Sequence, residues 1–468
     1  MQFDESRVAS IVEEVLRNLA AEGALAGKTA QGASRDGVFD DVETAMAAVV
    51  EAQKKLMEMP FGKREELIAA LRQAGIDHAE EFGKMAQEET KLGRAEDKKI
   101  KNINSARLTP GTEDLPRETL IGAQGISMVK GGPYGIIVSI LPTTHPTAIV
   151  INHAIAMVAS GNGVFFCPHP RGYQSSLYAM QVMNRAIVKA GGPPNLMVAL
   201  AKGSMEAVTE ACAHPAVGMI VATGGPSVVD AALRSGKKAI GAGPGNPPVL
   251  IDETADIAKA ARDIYEGASF DNNILCIAEK TIIAVEKIAD ELKRQFCSIP
   301  EVYWLSPAEA SKVEKAIFPD GKLNGELVGK DAAYILAQAG VRVDEKIRLA
   351  IMETGSTHPL VDTEQLMPVL PFVRVRDFDA GLQLALESEH GDKHTAVIHT
   401  KDMTRVDLFA RKLDVTALVV NAPSGAALAV GGEGQYAHTL AGPTGEGVCT
   451  PRTFTREIRI TIGQTFGY

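Results

Sequence analysis

Apolar residues recur along this chain in three rhythms. Val8, Ile11, Val12, Val15, Leu16 and Leu19 follow helical spacing, with Glu5, Arg7, Glu13, Glu14 and Arg17 on the other faces, which predicts a short amphipathic helix over residues 1–20. Residues 21–37 then turn small and Gly-rich, a linker composition. From Asp40 to about Lys101 the rhythm is again helical. Val42, Ala45, Met46, Val49, Ala52 and Leu56 form one stripe, Pro60 breaks it, and Leu67, Ala70, Leu71 and Ala74 continue in a second helix. At Gly135 the pattern changes to a continuous apolar run through Leu141, bounded by turn residues, as a strand buried on both faces requires. A helix over Ala148–Ser160 and a strand over Gly163–Cys167 follow, and strands recur at Asn195–Ala201 and Val217–Ala222. That order predicts an α/β fold with a doubly wound parallel sheet. Strict alternation marks Gly122–Lys130, a hairpin arm, and Arg456–Ile462, a strand with one exposed face.

Composition narrows the class. A chain of 468 residues implies two or three domains. No run of about 18 uncharged apolar residues offers a membrane span, and no basic region precedes an apolar signal core. The five cysteines, Cys167, Cys212, Cys276, Cys297 and Cys449, are scattered and lack a CxxC pair. This excludes a disulfide scaffold or zinc knuckle and points to a reducing, cytoplasmic compartment. A net charge of −10 disfavours polyanions, so no nucleic-acid partner is expected.

The candidate chemistry lies in a few stretches. Phe270-Asp271-Asn272-Asn273-Ile274-Leu275-Cys276 runs a polar, turn-favouring segment into a lone thiol. By spacing alone Cys276 is either a nucleophile at the edge of a buried site or a small buried hydrophobe. Thr223-Gly224-Gly225 closes a predicted strand and opens a helix, where glycines admit a close ligand and free N–H groups favour a pyrophosphate. An ordinary strand-to-helix turn fits the same residues. No GxGxxG fingerprint is present. Gly241 to Pro248 is rich in Gly and Pro and carries no acid. His390, His394 and His399 fall on different faces of a predicted strand, and no metal site is expected.

Several of these segments resemble the aldehyde dehydrogenase superfamily, and in particular its coenzyme A-acylating branch, which includes enzymes of bacterial microcompartments. The Phe-x5-Cys spacing, the Thr-Gly turn, Pro168-His169-Pro170, Glu364-Gln365-Leu366-Met367-Pro368-Val369, His390–Ala396 and Thr444–Gly447 carry the resemblance from about Val38 onward. It implies a Rossmann-like NAD-binding domain over 38–246, bearing an oligomerisation arm at 117–131. It further implies an α/β catalytic domain over 247–451 and a C-terminal oligomerisation strand over 452–468.

The resemblance makes Cys276 the nucleophile, and in that family the oxyanion is held by the asparagine of a Thr-Asn-Pro triplet, whose place is taken here by Thr144-His145-Pro146. His145 inherits that role, with Asn152 as another donor. NAD then contacts Pro142, Thr143, His169 at its adenosine end, Thr223, Gly224 and Gly225, and Glu364 at the nicotinamide ribose. Hydrolytic members carry a glutamate where Gly241–Asn246 stand here, and its lack leaves the acyl-enzyme for coenzyme A. The implied reaction converts propionaldehyde or acetaldehyde to acyl-CoA. The N-terminal helix resembles the encapsulation peptides that bind shell proteins, and a dimer or tetramer is implied. His390–Ala396 and Thr444–Gly447 are expected at the site mouth or beneath the nucleophile. The rivals are a hydrolytic dehydrogenase and a non-catalytic shell-bound scaffold.

Overall fold

Apolar runs without polar alternation need cover on both faces, and the chain supplies it twice. The computed structural model describes residues 36–463. The helix expected over 1–20 and nearly all of the linker lie outside the described residues. The first parallel sheet runs in the order β1 (Val38–Phe39), β6 (Met197–Leu200), β5 (Gly163–Cys167), β4 (Ile136–Ile140), β7 (Val217–Thr223), β8 (Lys238–Ala242). Within β4, Ile136 and Val138 enter one core while Ile137 enters the other. β5 divides likewise, Val164 and Phe166 against Phe165 and Cys167. The winding reverses between β4 and β7, the place where open α/β sheets bind ligands.

The second sheet is also parallel, with strands β11 (Val302–Trp304), β12 (Leu349–Thr354), β13 (Val369–Val375), β10 (Thr281–Val285), β9 (Pro248–Ile251), β14 (Thr395–His399) and β15 (Ala417–Val420) in that order. β8 ends the first sheet and β9 begins the second, so Gly243–Pro247 is the seam between them.

The helical stripe read from the sequence is the buried face of the helix Val42–Glu58, residue for residue, and Asp41 caps its start through the Thr44 N–H at 2.8 Å. The next helix, Phe61–Asp77, begins directly after Pro60. The helix expected from Ala148 starts two residues earlier, at Pro146, because proline fits the first turn of a helix, where its missing N–H costs nothing. Every residue of Pro146–Ala159 is buried.

The two alternating segments meet. β2 (Arg117–Gly122), β3 (Gly125–Pro133) and β18 (Thr455–Gly463) form an antiparallel ribbon with β3 in the middle. Ile126 lies opposite both Ile121 and Ile462, and Met128 opposite Ile460. Leu120 and Ile121 are 55% and 64% exposed.

Candidate active site

Two sheet edges of opposite sense face the same space. The first sheet offers the carboxyl ends of its strands: Pro142–His145 after β4, His169 after β5, Thr223–Gly225 after β7 and Gly243 after β8. The second offers amino ends: Cys276–Lys280 before β10, Glu364 before β13 and His394 before β14.

The polar turn before the thiol is more constrained than its composition reveals. Asp271, Asn272 and Asn273 all adopt left-handed backbone, with φ of 47°, 54° and 62°, and all three are buried. Asn and Asp tolerate this region because their side chains can compensate through hydrogen bonds. Asn272 Nδ2 donates to the Gly329 carbonyl at 3.0 Å and to Asp331. Asn273 Nδ2 donates to the Ala268 and Glu279 carbonyls. The Asp271 carboxylate accepts from the Arg94 N–H at 2.8 Å and from the ammoniums of Lys98 and Lys101. A side chain on Gly93 would lie 1.9 Å from Asp271 Oδ1, so that glycine makes room for the carboxylate. Both lysines also donate to the Thr144 carbonyl, at 3.1 and 3.2 Å, which ties the Cys276 loop to the His145 loop.

Cys276 is half-buried. Burial and then the Glu364 carboxylate push its pKa up to about 12, against the opposing charges of Lys280 and Lys101. The resting thiol is therefore protonated. Glu364 is largely buried, which raises its pKa, and Oε1 accepts from the Gly245 N–H at 3.4 Å. His394 sits under the same loop. A side chain on Gly245 would lie 2.7 Å from the His394 ring and 3.0 Å from the Cys276 carbonyl oxygen. Burial, then Lys280, lower the His394 pKa to about 4, so it is a neutral imidazole. Its Nδ1 pairs with the Thr395 hydroxyl at 2.9 Å.

His145 is buried and neutral, its pKa held well below the ordinary value by burial and then by His438, Lys101 and Lys98. Nδ1 lies 2.8 Å from the Thr144 hydroxyl, while Nε2 finds no partner among the described residues. With Thr144 donating to Nδ1, the ring carries its proton on Nε2, the one donor that a neutral imidazole offers. The ring stacks on His438 at 4.7 Å. His438 in turn lines a cavity of about 470 Å³ with Lys101, Phe270, Leu275, Ile277 and Tyr436. Leu275 and Ile277 flank Cys276 in the chain, so this cavity adjoins the loop that carries the thiol. Asn152 does not share it. Its amide donates to the Thr109 hydroxyl and the Tyr436 carbonyl and accepts from the His438 N–H. That excludes it as an oxyanion donor and makes it the support of His438.

On the opposite side the residues are open and lightly charged. Side chains built on Gly224, Gly225 and Gly243 would meet nothing within 4 Å. Gly225 precedes the helix Pro226–Leu233, whose first turn has no side-chain cap. Thr143 Oγ1 is buried without a partner among the described residues. Pro142 is buried beside it. His169 Nδ1 accepts from the Arg171 N–H at 3.1 Å, which fixes the ring at the end of β5. An open groove, an uncapped helix start and an orphaned hydroxyl fit a phosphate-bearing cofactor such as NAD.

Sequence reasoning missed the groups that support these residues. Thr223 Oγ1 pairs with Thr439, Thr439 with His153, and His153 with Ser139, at 2.9, 2.9 and 2.8 Å. This chain crosses the interior from β7 to β4. Lys98, Lys101 and Lys280 were also missed, since a charged residue on a mostly polar helix or at a strand start carries no sign that it will be buried. Thr444–Gly447 adjoins the end of β8 that leads into the seam. It lies against β8, with the Thr444 hydroxyl accepting from the Gly241 N–H and Glu446 paired to Lys238 at 2.6 Å, because the short hairpin of β16 (Leu440–Ala441) and β17 (Gly447–Val448) folds it there. Among the described residues no cluster of His, Cys, Asp or Glu could hold a metal ion, and no helix is long and apolar enough to cross a membrane.

Known proteins resemble this chain in sequence and fold. The aldehyde dehydrogenase family profile matches residues 26–299. An acetylating acetaldehyde dehydrogenase of Bilophila wadsworthia is 41% identical, covering 100% of this chain and 99% of its own. The structure of a propionaldehyde dehydrogenase from the Clostridium phytofermentans fucose utilisation bacterial microcompartment superposes with a TM-score of 0.90 at 42% identity, over 92% of this chain and 99% of that one. A propionaldehyde dehydrogenase of Rhodopseudomonas palustris, solved with bound CoA and an acylated cysteine, gives 0.89 and 41%, over 92% and 98%.

Proposed function

The chain belongs to the aldehyde dehydrogenase family, and from that premise we propose that it oxidises a short-chain aldehyde, propionaldehyde or acetaldehyde, to its coenzyme A thioester. The observation that carries this reading is the meeting of the two edges at Cys276, opposite a glycine seam that holds no acid.

The aldehyde enters between Leu275, Ile277 and Phe270. Cys276 reacts as its thiolate, the form of the side chain that attacks an electrophilic carbon. Sulfur adds to the carbonyl carbon, and the resulting oxyanion is met by His145 Nε2–H and the Cys276 N–H. Pro142, Thr143, His169, Thr223, Gly224, Gly225 and Glu364 would hold the cofactor. The chemistry that NAD supplies when bound is acceptance of a hydride from the former aldehyde carbon. The thioester left on Cys276 is attacked by the thiol of coenzyme A, whose proton passes to the leaving Cys276 sulfur. Acyl-CoA departs and the Cys276 thiol is restored.

Hydrolysis to the free acid has one observation in its favour: Glu364 brings a carboxylate close to the thiol from outside the glycine seam. NADH formation from propionaldehyde, with and without coenzyme A and with the product followed by mass, decides between them. Sustained turnover to propionyl-CoA only with coenzyme A is expected; equal turnover to propionate without it would overturn the acylating reading.

The amphipathic pattern over residues 1–20, followed by small residues, supports shell binding and cargo status inside a microcompartment. Fusing residues 1–37 to a fluorescent protein and measuring its recruitment to assembled shells tests this. The apolar rows of the β2–β3–β18 ribbon support a dimer or tetramer, which light scattering tests.

A further inference from the structure

Lys280 stands immediately before β10, and its side chain folds back under the nucleophile loop. It is 0% exposed. Its backbone is clamped, the N–H donating to the Pro247 carbonyl at 2.9 Å and the carbonyl accepting from Gln365 Nε2 at 3.3 Å. The ammonium donates to the carbonyls of Leu275 at 2.8 Å, Asn273 at 3.2 Å and Ala278 at 3.2 Å. Three carbonyls alone do not require a charge. Burying an ammonium carries a desolvation cost of several kcal/mol, which a neutral donor would avoid. The charge is explained by what surrounds it: Glu364 and Glu279 oppose it, and the Cys276 sulfur lies within its field. Burial lowers the Lys280 pKa, and Glu364 resists that fall.

The contact with Leu275 has a particular consequence. The Leu275 carbonyl belongs to the same peptide unit as the Cys276 N–H. A cation on the oxygen draws electron density through the amide and makes the N–H a stronger donor. We propose that Lys280 is a positioning residue for the nucleophile, polarising the Leu275–Cys276 peptide toward the oxyanion and supplying the counter-charge for the Cys276 thiolate.

This rests on Cys276 being the nucleophile. The charged and titratable groups facing the sulfur or the Lys280 ammonium are Glu279 on the same loop, Glu364 before β13, His394 before β14 and Lys101 from the helix Ala95–Leu108.

The test is the pH dependence of Cys276 alkylation by iodoacetamide, located by peptide mass, together with kcat and KM. In the wild type, alkylation of Cys276 must abolish turnover. If it does not, the nucleophile assignment fails independently of Lys280. Lys280→Met removes charge and donor, Lys280→Gln keeps a donor without charge, and Lys280→Arg keeps charge. The expected result is an alkylation profile displaced upward by about 1–3 pH units in Lys280→Met, partly restored in Lys280→Arg, with kcat falling and the KM for aldehyde nearly constant. A shift in Lys280→Gln equal to that in Lys280→Met assigns the effect to charge; a near-normal Lys280→Gln assigns it to the Leu275 hydrogen bond. A profile unmoved in folded Lys280→Met and Lys280→Gln would overturn the proposal. Failure of all three variants to fold would overturn it too, by assigning Lys280 to the fold alone.

Discussion

The carboxyl edge of the first sheet and the amino edge of the second enclose one cleft by opposite means. On the first edge the lining is backbone and small side chains: Gly224, Gly225, Gly243, Thr143 and Thr223, with little charge. On the second, charge is buried at high density: Asp271 with Lys98 and Lys101, and Lys280 with Glu364 and Glu279. A ligand that arrives and leaves needs room and unfilled donors. A side chain that reacts needs its position and its field fixed beforehand. The molecule places each requirement on a separate sheet and joins them at a glycine seam.

Breaking the second edge should have the largest effects. Cys276→Ala is expected to lower turnover by on the order of 10⁵–10⁶-fold while NAD affinity, read by calorimetry, stays put. Asp271→Asn leaves Lys98 and Lys101 without their carboxylate. Removing one member of a buried ion group costs about 3–5 kcal/mol, so a large fall in Tm and in kcat is expected. An unchanged Tm would show that the two lysines are satisfied by Thr144 alone. Gly245→Ala probes the seam, where the new methyl must displace His394 or the Cys276 carbonyl; kcat should fall by about 10²-fold.

On the first edge the effects are smaller and fall on the cofactor. Thr223→Val breaks the Thr223–Thr439–His153–Ser139 chain. The KM for NAD should rise about tenfold, a loss of roughly one hydrogen bond, with the Cys276 alkylation profile unmoved; a shifted profile would mean that the two edges are coupled. A further effect, separate from both edges, is on stability. His153 is held near 3 and His394 and His399 near 4 by burial, below an ordinary 6.5. In that window each of the three binds a proton in the unfolded chain and not in the native one, so the stability it contributes is complete above 6.5 and is lost as pH falls toward 4, opposed in part by Glu279 and Glu364, whose burial raises them to about 7 and favours the native state as pH falls. Chemical denaturation midpoints at pH 7, 6 and 5 should fall in that order.

Much of this was legible before any coordinates. Strand runs such as Gly163–Cys167 and the stripe Val42–Leu56 read directly, because periodicity reports which faces are covered. Cys276, the Thr-Gly turn and the acid-free seam were legible as motifs, since each needs particular residue types at short spacing. The supports were not. Asp271, Lys101 and Thr144 meet only in three dimensions, and so do Thr223, Thr439 and His153. Gly245 looked like one more turn glycine until His394, about 150 residues away, was found against it. Asn152 has the side chain of an oxyanion donor, but its three hydrogen bonds hold the amide elsewhere.

The pairing of β18 with β3 also sets a timetable. Pro133 and Thr455 are neighbours in the ribbon yet lie about 320 residues apart in the chain. At a synthesis rate of about 5–20 residues per second, the β3 edge waits roughly 15–65 s for its partner. Over that interval the hairpin carries Ile126 and Met128 on an unpaired edge, open to the same segment of a neighbouring nascent chain. Such an edge can start correct assembly or aggregation, so crowding on one messenger, as well as equilibrium stability, governs how much of this protein reaches its folded state.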